Sequence, residues 1–106
     1  MSTSKKVTCL IKYVIDREKV GSFEEYGKMW ILLVNKLGGN HHGYLLPYEG
    51  ADNIAYALFT FPSLARYEEY RTAIRVDKAC GEAFALAKSS GCIISSERTF
   101  LRPVFE

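Results

Sequence analysis

The chain has 106 residues, a formal net charge of +2 and 48% hydrophobic residues, which excludes a disordered segment and suits one domain. Its Lys and Arg are scattered instead of gathered in a stripe, which excludes a nucleic-acid-binding surface. No cleavable apolar segment opens the chain and no apolar run is long enough for a membrane span, so a cytoplasmic protein is expected.

Residues 1–6, with Lys5-Lys6 among Ser and Thr, read as a flexible leader to a single domain over 7–105. Residues 7–15 predict a strand whose faces (Val7, Cys9, Ile11, Tyr13 and Ile15 against Thr8, Leu10, Lys12 and Val14) are both at least partly apolar. Ser22 and Glu25 have the spacing of a capping box for a helix running to about Lys36. On it Phe23, Tyr26, Trp30, Leu33, Val34 and Leu37 form one apolar stripe, and Gly38-Gly39 supplies a left-handed exit. A second strand is expected over 41–48, with Pro47 at an edge or end. The strand over 54–61 is apolar on both faces: Ile54, Tyr56 and Leu58 on one, Ala55, Ala57, Phe59 and Phe61 on the other. Pro62 stops it and Ser63 caps a helix whose buried side is marked by Leu64, Tyr67, Tyr70 or Arg71, and Ile74. Asp77 caps a continuation or a short third helix carrying Cys80, Phe84 and Ala87; Gly91 ends it, and residues 92–102 form the last strand.

This order, β-α-β-β-α-β, predicts an α+β ferredoxin-like domain: four antiparallel strands, the first and third central, with the helices on one face. The other face then shows large side chains from 54–61, each of which gains roughly 1.5–3 kcal/mol from cover. A homodimer paired through that sheet face is therefore expected.

Several segments carry a family resemblance. They are the Tyr13-containing strand, SFEEY at Ser22–Tyr26, Gly38-Gly39 ahead of Gly43-Tyr44, and Phe59-Thr60-Phe61. Ser63-Leu64-Ala65-Arg66-Tyr67, Arg71 and Leu101-Arg102-Pro103 complete the set. Over about residues 6–105 the chain resembles the NIPSNAP family, within the dimeric α+β barrel superfamily. The resemblance implies a homodimer in which two sheets form a barrel-like interface, with a pocket between sheet and helices in each subunit. Cousins in that superfamily include cofactor-independent monooxygenases and haem-degrading enzymes.

The two histidines are adjacent, at His41 and His42, so on a regular strand they point to opposite faces. His42 and Tyr44, two residues apart, share a side, which makes His42 the candidate catalytic base near neutral pH. Tyr13, Tyr44 and Tyr56 combine with Trp30 as candidate ligand-binding residues suited to a small aromatic or amphipathic molecule. Arg98, mid-strand, is positioned to fix a carboxylate or phosphate, or to pair with a glutamate across a dimer. The ordinary alternative for each is packing: a histidine pair at a strand start, sheet tyrosines with satisfied hydroxyls and a core indole. Cys9, Cys80 and Cys92 lack metal spacing and read as reduced core thiols, and no metal or cofactor is expected.

Three functions fit. One is a small-molecule-binding protein or cofactor-independent oxidative enzyme. The others are a regulatory or stress-response dimer without chemistry, and an interaction module. A cavity of about 300 Å³ or more beside His42 and Tyr44 favours the first. A solid interior favours the others.

Overall fold

Strand β1 (Val7–Ile15) and strand β3 (Ile54–Phe61) form where the chain is apolar on both strand faces, and they pair antiparallel from Val7 opposite Phe61 to Val14 opposite Ile54. The computed structural model describes residues 5–104. The other elements are α1 (Val20–Lys36), β2 (Asn40–Leu45), α2 (Leu64–Ala73), α3 (Lys78–Ser90) and β4 (Ile93–Leu101). The sheet order is β2-β3-β1-β4, antiparallel throughout, so the two-sided strands are the central ones. Most of the leader expected over residues 1–6 lies outside the described residues.

The dimeric α+β barrel expectation is corrected. The sheet is open: β2 and β4 are its two edges and do not pair with each other. Four twisted strands of six to nine residues are too few to curl round until their edges meet. The fold is α+β, with a four-stranded antiparallel sheet and three helices. The chain leaves α2 at Ala73, and the Asp77 carboxylate accepts the Cys80 N–H at 3.0 Å to start α3 as a separate helix.

Burial separates the two faces of the sheet. Cys9, Ile11, Tyr13 and Ile15 of β1, with Ala55, Ala57, Phe59 and Phe61 of β3, are buried beneath the helices. Their opposite neighbours Leu10, Val14, Ile54, Tyr56 and Leu58 are half-buried on the face that carries no helix. Helix α1 supplies Phe23, Tyr26, Trp30, Leu33 and Val34 to the core, as its stripe requires. Cys9, Cys80 and Cys92 are buried and unpaired. Leu64, expected on the buried side of α2, is exposed.

Helix ends follow local chemistry. The capping box expected at Ser22 and Glu25 does not form, because α1 begins earlier, after Lys19, with no side-chain cap. Asp16 makes that earlier start: its Oδ1 accepts the Glu18 N–H at 2.9 Å and its carbonyl accepts the Lys19 N–H at 2.8 Å. At the other end Gly38 takes φ 102°, and the Gly39 N–H reaches back to the Val34 carbonyl at 2.9 Å. Ser63 Oγ caps α2 as expected, accepting the Arg66 N–H at 3.2 Å. Strand β2 stops at Leu45, short of Pro47.

Candidate functional site

The site starts from an irregularity in β2. His41 lies opposite Phe59 and Gly43 opposite Leu58, so two successive β3 residues face three of β2, and His42 is the extra one. Gly43 has φ 114°, a backbone region that side chains resist, which lets the strand make this bulge. Strict alternation would join His42 to Tyr44; the bulge joins His41 to Tyr44 instead. Their rings stack on the helix side, 5.0 Å apart and 14° from parallel. Gly27 of α1 makes room for this, since a Cβ there would sit 3.1 Å from the Tyr44 ring.

Between sheet and helices lies a cavity of about 90 Å³. Strand β1 contributes Ile11 and Tyr13, α1 contributes Tyr26, Trp30 and Val34, and β2 contributes His41 and Tyr44. Phe59, Tyr70, Arg71, Ile74, Phe84 and Arg98 complete the wall. Phe84 and Arg98 are exposed and stand at its mouth. The volume falls below the expected 300 Å³ and corresponds to about three water molecules at ~30 Å³ each.

Four residues singled out in the sequence, Tyr13, Trp30, Tyr44 and Arg98, meet in this cavity. Two do not join them. Tyr56 faces the uncovered side of the sheet and lines a wider, open groove of about 510 Å³ with Lys12, Leu45 and Tyr48. The His42 ring also leaves the cavity; its Nε2 lies 2.7 Å from Thr60 Oγ1, which is itself 2.7 Å from Thr8 Oγ1. Sequence reasoning missed His41, hidden by the bulge, and gave Tyr26 and Tyr70 to packing alone. It also left Tyr70 or Arg71 as alternatives for the buried side of α2, although both line the cavity, and gave Arg71 no part in the site.

The electrostatics are one-sided. His41 Nδ1 accepts the Gly43 N–H at 2.9 Å, so in the neutral ring the proton sits on Nε2. Burial, with the neighbouring His42 as a lesser cause, lowers the His41 pKa to about 4 and keeps it neutral at pH 7. Its Nε2 is buried without a protein partner. So are Trp30 Nε1 and Arg71 Nε, although another Arg71 nitrogen donates to the Tyr67 hydroxyl at 3.0 Å. The Tyr26 hydroxyl is near enough to Trp30 to act electrostatically, but the pair does not reach full hydrogen-bond geometry. Each unmade buried bond costs about 1–3 kcal/mol. Burial is the main cause that raises the pKa of Tyr13, Tyr26, Tyr44 and Tyr70, so all four stay neutral phenols at pH 7. Among the described residues, no three His, Cys, Asp or Glu side chains gather as metal ligands, and no helix is long and apolar enough to cross a membrane.

Comparison with known proteins adds the family. The NIPSNAP family model matches residues 8–105. A NIPSNAP family protein of unknown function from Agrobacterium tumefaciens superposes with a TM-score of 0.81 at 16% identity, over 96% of this chain and 91% of that one. An uncharacterized NIPSNAP-like domain protein from Burkholderia xenovorans gives 0.78 at 13% identity, over 96% and 88%. SnoaB, a cofactor-independent oxygenase from Streptomyces nogalater, gives 0.66 at 10% identity, over 96% of each chain. At these identities the likeness is one of fold. No curated protein matches the chain significantly in sequence.

Proposed function

This chain belongs to the NIPSNAP family, and from that premise we propose that it binds a small aromatic or amphipathic ligand in the cavity between sheet and helices, as a homodimer paired through the uncovered sheet face. The observation that carries the ligand reading is the cavity of about 90 Å³ itself, walled by Tyr13, Tyr26, Trp30, His41, Tyr44 and Tyr70 with Arg71 and Arg98 beside them. Stacked rings of His41 and Tyr44 and the tilted contact of Trp30 with Phe84, 5.1 Å between centroids, suit a flat body.

His41 acts here as a donor. With Nδ1 occupied by a backbone N–H and the pKa near 4, it is a weak base at neutral pH. Binding and orientation fit this arrangement better than proton abstraction does.

The test uses Trp30, the sole tryptophan, as the probe of occupancy. Phenol, benzyl alcohol, benzamide and benzoate are titrated while its emission is followed. At least one is expected to give a saturable change at millimolar concentration or below. Ile74→Phe, which fills the cavity, is expected to weaken it at least tenfold while circular dichroism stays folded. A flat response to all four probes overturns the reading.

A further inference from the structure

Resting on the cavity reading above, we infer that the ligand class is a small aromatic monocarboxylate, its carboxylate taken by Arg71 and Arg98. The wall carries two guanidinium groups and no Asp or Glu. Among the described residues neither Arg71 nor Arg98 has a carboxylate within ion-pairing distance, although four other pairs form on the surface. The positive charge therefore meets no internal counter-charge. Arginine left in this state at the wall of a cavity is suited to a planar anion, which its fork of donors can hold at two points.

A neutral alcohol or amide gains nothing from the charge of the two guanidinium groups, whereas an ionised carboxylate does. Phosphate suits the charge as well but leaves the apolar wall of Ile11, Val34, Phe59 and Ile74 unused, so competition separates the two. At about 90 Å³ the cavity is smaller than the ~150 Å³ that encloses a benzene ring, so a single ring sits partly in the mouth beside Phe84 and Arg98.

Benzoate and benzamide are nearly the same shape and differ in charge, so the wild-type chain decides the question without any variant. Both are titrated against Trp30 emission at low ionic strength, with inorganic phosphate as competitor. Benzoate is expected to bind at least tenfold tighter than benzamide. Phosphate is expected not to displace it at equal concentration. Arg98→Gln, on the exposed edge strand, and Arg71→Gln are each expected to cut benzoate affinity severalfold and to leave benzamide unchanged. Equal affinity for the two probes overturns the carboxylate class and leaves the cavity reading standing. Displacement by phosphate, or a preference untouched by both substitutions, overturns the class equally. If neither probe binds, this inference falls together with the reading beneath it.

Discussion

The proton of His41 is held on Nε2 because the Gly43 N–H already occupies Nδ1, and that single bond makes the residue sensitive to acid. Unfolded histidine takes up its second proton near pH 6.5, whereas the folded ring does so only near 4. Between these values the unfolded chain binds more protons. The stability associated with neutral His41 is therefore complete above about pH 6.5, declines on acidification and is lost near 4. The gap corresponds to roughly 3 kcal/mol. His41→Gln is expected to have a flatter melting temperature between pH 6.5 and 4.5 than wild type; parallel curves would refute the assignment. Residue by residue, only part of the aromatic wall was legible: Tyr13, Trp30 and Tyr44 line the cavity, but Tyr56 faces the other side of the sheet and Tyr26 and Tyr70 were given to packing. The part of Arg71 was not legible, because the periodicity of α2 allows Tyr70 or Arg71 at the buried position and charge favours Tyr70.

At the level of elements, ends marked by glycine or a capping oxygen were readable, and the insertion within β2 was not. Alternation assigns faces correctly until one residue is added, and then every later assignment on that strand inverts. A hint existed: glycine inside a strand is common where a bulge forms, and Gly43 stands inside HHGYL. The exit of α1 shows how tightly such an element end is fitted. A Cβ on Gly39 would lie 2.7 Å from Phe61 Cζ and 2.7 Å from Val34 Cγ1, two side chains with no room to retreat. Gly39→Ala is expected to destabilise the chain by about 1–3 kcal/mol, read as a lowered urea midpoint at unchanged slope. A neutral result would mean that the α1–β2 junction yields more easily than its packing implies. Early entry into α1 was also missed, because the spacing of Ser22 and Glu25 was weighed and the turn made by Asp16 was not.

For the whole molecule the unresolved balance is between the two sides of the sheet. Helices cover one; Leu10, Val14, Ile54, Tyr56 and Leu58 remain half-buried on the other, with Leu45 and Leu101 exposed at its borders. Two copies joined there would bury several large side chains at roughly 1.5–3 kcal/mol each. Sedimentation at micromolar concentration is expected to give the mass of two chains. Leu58→Lys, in the middle of β3, is expected to give the mass of one with helix content intact. A wild-type chain that sediments singly rules the pairing out. The central position of β1 and β3 followed from the sequence because it depends on apolar pattern. Closure did not, because it depends on whether two edge strands meet, and no residue pattern within a strand records that.

Cys9 lies in β1, Cys80 in α3 and Cys92 just ahead of β4, and none of the three sulfurs is accessible in the folded chain. Burial raises the thiol pKa of Cys9, and burial with the adjacent Asp77 raises that of Cys80 to about 11, so both are also poor nucleophiles at rest. An alkylating reagent can modify them only through excursions that expose their own segments. The chain thus carries three built-in clocks, in the centre of the sheet, in the last helix and at the root of the edge strand. Their separate labelling rates would reveal which part of the architecture opens first.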